Sequence, residues 1–376
     1  MGHIRYFEEE MKKLLSFRSV LIFGGAGFVG SNWASHLLRN TNARVHIFDN
    51  LSRRGVHQNL EWLRRETPDQ ERIKVTIGDI RDAGLVERAV QGATEIYHLA
   101  AQVAVTSSIA DPRNDFEVNA MGTLNVLEAA RKSGRQPFLL FTSTNKVYGN
   151  LNSKPLVLTG RRYCAVDEKG VNESQPLDLY SPYGCSKGTA DQYVHDYSRM
   201  FALPTVVFRM SCIAGPRQFG NEDQGWVAHF VYSALENKPL TIYGDGRQVR
   251  DVLSVHDLVR AFEKVRAQTE KTGGQIYNIG GGINNSVSLL EVIDEVESIT
   301  GKRLRYSLQR PRPGDQLFYV TDLQKLTKHT GWKPEMNVSQ TINAIYEWWK
   351  ARDVAEPVRV LPIRPPSLER VPEAAS

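Results

Sequence analysis

Apolar and polar positions along the first 210 residues follow two alternating periods. Ser19–Phe23 (SVLIF) is a short β-branched apolar run that ends in glycines, and after Gly27 the apolar residues Val29, Trp33 and Leu37 fall at helical spacing. The same change of period recurs down the chain. Arg44–Phe48, Lys74–Ile77, Glu95–Leu99, Phe138–Phe141 and Thr205–Arg209 read as strands, with helical patterns such as Gly122–Lys132 between them. Strands apolar on both faces and separated by helices predict an α/β protein with a doubly wound parallel sheet. Past about residue 210 the rhythm breaks. Glycine and proline become frequent, and short strands such as Leu240–Tyr243 mix with helices. Four segments are therefore expected: an N-terminal extension over 1–18, the sheet domain over 19–210, a smaller C-terminal lobe mainly over 211–354 with segments that return to the sheet domain, and a tail over 355–376. The tail carries five prolines and cannot hold a helix.

Composition adds mostly exclusions. At 376 residues, 41% hydrophobic and 24% charged, the chain is of ordinary globular type. No apolar run of about 18 residues occurs, so no membrane span is expected. The opening MGHIRYFEEEMKKLLSFRS mixes acids with bases and does not read as a secretory signal. Cys164, Cys185 and Cys212 are too few for a disulfide framework and lack a CxxC metal spacing, which points to the reducing cytoplasm. The net charge of +5 is spread without any run of five basic residues. No nucleic-acid module is visible, and the arginines suit a phosphorylated small molecule better than a nucleic acid.

Candidate chemistry starts at the first turn. Gly24, Gly27 and Gly30 form GxxGxxG between a strand and a helix, which permits a tight turn and close approach of backbone to a pyrophosphate. The helix N-terminus then faces the phosphates, with Phe28 and Val29 in its first turn. Asp49 ends the next strand, 19 residues beyond Gly30, near the spacing of a ribose-binding carboxylate. Together these predict a Rossmann domain. Asp49 favours NAD over NADP, because a carboxylate accepts from both ribose hydroxyls and repels a 2′-phosphate. Arg53 and Arg54 argue the other way, with less weight. Asp79 closes the third strand as either an adenine acceptor or a helix N-cap.

A second constellation points to proton and hydride transfer. Tyr183 and Lys187 form YxxxK, which places both on one helix face. An ammonium beside the phenol would lower its pKa from about 10 toward that of a useful base. Thr142-Ser143-Thr144 follows the fifth strand and sets hydroxyls at the ends of the strands, where ligands bind in such sheets. The small residues of His98-Leu99-Ala100-Ala101-Gln102 let a cofactor approach the backbone, with His98 itself read as a core residue.

The glycine motif, Asp79, HLAAQ, Asn119–Thr123 (NAMGT), TSTNKVYG and Tyr183/Lys187 together resemble the extended short-chain dehydrogenase/reductase superfamily in its nucleotide-sugar branch, over roughly residues 19–350. The resemblance implies Thr144, Tyr183 and Lys187 as the catalytic triad and Asn119 as a support for their helix. It implies NAD held by Gly24, Gly27, Phe28, Val29, Asp49, Asn50, Ser52, Arg53, Asp79, Ile80, Ala100, Ala101, Gln102, Asn119, Tyr183 and Lys187. FDNLSRRG at 48–55, the segment 161–193, GPRQF at 215–219 and GRQVRDVL at 246–253 are similar to the CDP-paratose 2-epimerase branch. That implies Asn145, Gln218, Arg250 and Arg312 as substrate-binding residues, with the two arginines as a diphosphate clamp. The dehydratase branch would place an Asp-Glu pair after the catalytic Thr, where Asn145-Lys146 stands here. Cys212 and Ala214 stand where many sugar epimerases carry Asn and Tyr. Cys212 has no neighbour in sequence that would activate it as a nucleophile.

The expected function is NAD-dependent epimerisation of a nucleotide-diphosphate sugar at C2, a CDP-sugar being favoured, through a 2-keto sugar. A 4-epimerase of the UDP-glucose type would use the same residues, and a non-catalytic NAD-binding scaffold is the alternative from another class. The resemblance further implies a homodimer or homotetramer that pairs through helices at 119–133 and 181–201.

Overall fold

Seven parallel strands form the central sheet, in the spatial order Gln275–Ile279, Thr205–Met210, Phe138–Thr144, Glu95–His98, Ser19–Phe23, Arg44–Asp49, Ile73–Ile77. The computed structural model describes residues 18–167, 169–312 and 314–354. The expected tail lies outside the described residues, as does the expected extension apart from Arg18. Arg18 makes a two-pronged contact to the fully buried Glu95, at 2.8 and 3.0 Å.

The inner strands are buried on both faces, as their apolar runs require, while the edge strand Ile73–Ile77 stays partly exposed. Val20 and Ile22 pack into one core with Trp33, Leu37 and Phe262. Leu21 and Phe23 point the other way into a second core with Val126, Leu127, Ala190 and Val194. Helices Phe28–Asn40 and Val255–Ala267 cover the first face, and Gly122–Lys132 and Ser181–Phe201 the second.

The expected Rossmann-type α/β class stands, with two differences in the sheet. The strand that begins at Phe138 runs on through Thr142, Ser143 and Thr144, because these hydroxyl residues keep register with Phe208, Arg209 and Met210. The seventh strand, Gln275–Ile279, comes from far beyond residue 210 and pairs with Thr205–Met210. Its Gln275 and Asn278 obscure the apolar run in sequence. The helix Val255–Ala267, in the same returning stretch, sets Phe262 edge-on to Trp33.

The rest of the C-terminal half builds its own core from the helices Trp226–Leu235, Leu289–Thr300 and Val338–Val354, where Tyr232 stacks on Trp349. The strand Val249–Ser254 crosses this half and pairs with Cys212–Ala214, Ser286–Ser288 and Phe318–Tyr319. No helix among the described residues is long and apolar enough to cross a membrane.

Strand order reverses between Ser19–Phe23 and Glu95–His98. At such a switch point the loops after neighbouring strands part, and a crevice opens at their carboxyl ends.

Candidate active site

A cavity of about 990 Å³ occupies that crevice. Its floor is the glycine turn, its walls are the strand ends at Asp49 and Thr144 and the residues just past strands at Asp79 and Leu99, and its far side is the C-terminal lobe. Gly24 adopts φ +77°, and a Cβ there would lie 2.7 Å from the Ala100 nitrogen. A Cβ on Gly30 would strike the Gly24 carbonyl. These two glycines let the helix Phe28–Asn40 start hard against the strand ends, with Gly27, Phe28 and Val29 facing the cavity.

The other expected cofactor residues gather along the same wall. Asp49 accepts from the Ala26 and Leu51 N–H groups at 3.0 and 2.9 Å. Burial raises its pKa, and those N–H groups and Arg53 work against the rise. Asn50, Ser52, Arg53, Ile80, Ala100, Ala101 and Gln102 also line the cavity. Arg53 reaches across to the Gln224 side chain of the lobe at 2.6 Å.

Asp79 lines the cavity and is bound to Arg81 at 2.9 Å, which holds its pKa down at about 2. Of its two sequence readings, the helix N-cap is overturned. Asp82 caps the helix Ala83–Val90 by accepting from Leu85 N–H, because that helix begins three residues later than the strand end suggests.

Asn119 is the expected cofactor residue that the structure places elsewhere. It is buried behind the cavity wall and does not line it. Its amide oxygen accepts from Gln102 N–H at 2.9 Å, and its nitrogen donates to the Gln102 carbonyl, Asp115 and Ser186. With its donors and acceptor taken up by the protein, it fits the support role and not the binding one.

Thr144, Tyr183 and Lys187 come together on the cavity wall, all three buried. Thr144 ends its strand and caps the following turn by accepting from Lys146 N–H at 3.2 Å. Lys187 donates to the Thr142 carbonyl at 2.7 Å and lies 4.1 Å over the Phe141 ring. The expected electrostatic effect on the phenol is not what the surroundings produce. Burial pushes Tyr183 up to about 12, opposed by the Thr144 hydroxyl and Arg53 and aided by Asp115. Burial also pushes Lys187 down to about 7, against the pull of Asp191 and Asp115. Desolvation therefore outweighs the YxxxK pairing in the protein alone.

The substrate side is mixed. Asn145 and Gln218 line the cavity, Asn145 bound to Gln316 and Gln218 to the Ile213 carbonyl. Arg312 lines it too, stacked over Tyr243 and paired with Asp223 at 3.1 Å. Arg250 does not line it. Its guanidinium is drawn back onto Asp315 at 2.7 Å, so it forms no open clamp with Arg312. Cys212 is on the wall, but burial and Asp251 push its thiol up to about 12, which leaves it a poor nucleophile. Ala214 lies buried in its strand and away from the cavity. Sequence reasoning passed over Lys146 and Asp315, both on the wall, although Lys146 stands inside the quoted TSTNKVYG run.

The cavity fits a dinucleotide. The glycine cradle is one that a Cβ would fill, and the Ser143 hydroxyl is buried on the wall with no hydrogen-bond partner among the described residues, left for a ligand's polar group.

A doubly wound sheet with a glycine cradle and a Thr–Tyr–Lys cluster at its switch point defines a short-chain dehydrogenase/reductase of the extended, nucleotide-sugar type. The chain belongs to the family described as GDP-mannose 4,6 dehydratase, which matches residues 21–345. It is 43% identical over 337 residues to the CDP-paratose 2-epimerase of Salmonella typhi, covering 88% of this chain and 98% of that one. A putative UDP-glucose 4-epimerase of Methanocaldococcus jannaschii is 32% identical, over 88% of this chain and 98% of its own. Among solved structures, the UDP-glucose 4-epimerase of Thermus thermophilus in complex with NAD superposes with a TM-score of 0.73 at 32% identity, covering 88% of this chain and 99% of that one.

Proposed function

We propose that this protein is an NAD-dependent epimerase that inverts C2 of a nucleotide-diphosphate sugar, its substrate a CDP-sugar of the paratose type. The observation that carries the reading is the 43% identity to the Salmonella typhi 2-epimerase along nearly the whole of both chains. The cluster of Thr144, Tyr183 and Lys187 on one cavity wall supports it.

The glycine turn with Phe28 and Val29 would hold the pyrophosphate of NAD, and Asp49 the adenosine ribose. Acceptance and return of a hydride at C2 is the chemistry that bound NAD supplies. Tyr183 takes the C2 hydroxyl proton and later gives it back. Thr144 donates to the same oxygen and holds it against Tyr183. Lys187 fixes the nicotinamide ribose and, when charged, favours the phenolate. The keto sugar turns over between the two transfers, and Tyr183 serves both faces. Asn145 and Lys146 offer no acid and base pair for removal of water, so dehydration is not part of the reading.

A 4-epimerase would use the same three residues, and the relatives at 32% identity fit it. The higher identity favours C2. The test is to incubate the purified protein separately with CDP-paratose and UDP-glucose and follow C2 and C4 by NMR, with NAD measured after denaturation. Inversion at C2 of the CDP-sugar, with NAD released, is the expected result. Inversion at C4 overturns the choice of carbon. No turnover of either sugar, with NAD still released, favours a scaffold.

The protein pairs as a homodimer, or a dimer of dimers, through 119–133 and 181–201. Met121, Tyr193, Met200 and Phe201 are large apolar side chains left exposed on these helices. The three free cysteines suit a reducing compartment, the cytoplasm.

A further inference from the structure

Lys146 is a cation that the mechanism above leaves without a task. It sits on the turn Asn145–Tyr148, two residues past Thr144, and its own N–H is bound to the Thr144 hydroxyl. Its side chain is 21% exposed and lines the cavity together with Thr144, Tyr183 and Gly314. The ammonium lies 3.3 Å from the Gly314 carbonyl and 3.5 Å from Asp315 Oδ1. Arg250 binds that same carboxylate oxygen more closely, at 2.7 Å. Among the described residues two cations therefore share one carboxylate, and this group of three carries one positive charge in excess. Of the two, Lys146 is the one that reaches the cavity. A partly buried ammonium left short of counter-charge is stabilised when an anion completes its surroundings. In the protein alone, burial and Arg250 push Lys146 down to about 8.

We propose that Lys146 binds the sugar-linked phosphate of the nucleotide sugar and thereby sets C2 against Tyr183. This rests on the C2 reading given above. The phosphate is bonded through oxygen to C1, and C2 is the neighbour of C1. When the C2 oxygen lies at Thr144 and Tyr183, the sugar-linked phosphate must lie close to the same two residues. When C4 reacts instead, the phosphate leaves from the opposite end of the ring. A cation anchored two residues from Thr144 suits the first pose and is wasted in the second. Arg312, on the loop that also carries Gly314 and Asp315, is left for the nucleoside-linked phosphate.

Nucleoside diphosphates and monophosphates separate the two phosphates, since only the diphosphate carries the one that would bear the sugar. CDP, CMP, UDP and UMP are titrated by calorimetry into wild type, Lys146→Met, Lys146→Gln and Lys146→Arg, each checked for native melting. The expected result is a loss of about 10- to 100-fold in affinity for the diphosphate in Lys146→Met and Lys146→Gln. The monophosphates should change by less than about twofold, and Lys146→Arg should keep most of the diphosphate affinity. Equal losses on mono- and diphosphate, no loss on either, or a wild type that does not prefer diphosphate would each overturn the proposal. The carbon inverted by wild type is read separately by NMR. C2 inversion without diphosphate discrimination removes Lys146 alone, and C4 inversion removes the reading on which it rests.

Discussion

The side-chain amide of Asn119 donates to Ser186 Oγ at 3.1 Å, and Ser186 stands three residues beyond Tyr183 on the same helix. The Ser186 hydroxyl in turn donates to Asp115 at 2.5 Å, and Asn119 clasps both backbone groups of Gln102. One buried side chain thus ties the Tyr183 helix to the loop that follows the strand Glu95–His98.

Asn119→Ala removes that tie and strands several buried polar groups, each worth about 1–3 kcal/mol when left unmade. The variant is expected to lose about 2–4 kcal/mol of unfolding free energy in urea, the groups being partly able to re-pair. Its kcat should fall more than its KM rises, because the cavity surface keeps its binding groups while Tyr183 loses its anchor. A variant with wild-type stability and kcat would contradict the support role.

Tyr183→Phe deletes one phenolic oxygen and leaves the glycine turn, Asp49 and Lys187 in place. Epimerisation should fall by about 10²–10⁴-fold, the usual worth of a positioned acid–base group. NAD content after purification should match wild type. Retention of more than about a tenth of the turnover would be incompatible with proton transfer by Tyr183.

Lys187 gives a pH dependence of known sign. Its pKa falls from 10.5 to about 7 on folding, because burial penalises the ammonium. Between those values the unfolded chain binds more protons than the folded one, so stability from this group rises with pH across the window and is lost as pH falls toward 7. Lys187→Met removes the effect. The unfolding free energy of wild type, measured relative to the variant, should rise by about 2 kcal/mol from pH 7 to pH 9. A flat difference, or one that falls with pH, would contradict the burial argument.

Much of this is legible in the amino-acid sequence itself. Strands such as Ser19–Phe23 and the Phe138–Phe141 stretch are apolar on both faces, and they announce a parallel sheet in a single sequence. The glycine turn and the Tyr183/Lys187 pair are legible because their spacing is local, whereas Thr144, far from Tyr183 in sequence, joins them through the family resemblance. What escaped was non-local. Gln275–Ile279 joins the sheet by pairing with Thr205–Met210, and its polar Gln275 and Asn278 hide that edge position. Arg250 has the sequence context of a phosphate ligand, but Asp315, 65 residues away, holds its guanidinium. Lys146 carried no signal of its own, because its meaning depends on that same carboxylate. The balance between burial and charge at Tyr183 is likewise a property of the packed cavity, invisible in the YxxxK spacing.

Assembly has a direct readout. Light scattering at micromolar concentration should give twice or four times the 42.4 kDa chain mass. Met200, two-thirds exposed, and Tyr193 lie on the helix expected at the interface. Met200→Asp with Tyr193→Asp should shift the mass toward the monomer, since burial of two carboxylates in an apolar contact is strongly disfavoured. A wild-type monomer would contradict the pairing.

The central claim is that inversion proceeds by removal and return of one hydride at C2, with Tyr183 moving only the hydroxyl proton. It is tested by a CDP-sugar deuterated at C2, turned over in ordinary water and followed by NMR and mass spectrometry. The account predicts product that keeps its deuterium at C2, because the hydride leaves and returns without meeting solvent. Extensive washout of the label into water would mean a carbanion and a base on each face, and would contradict the account.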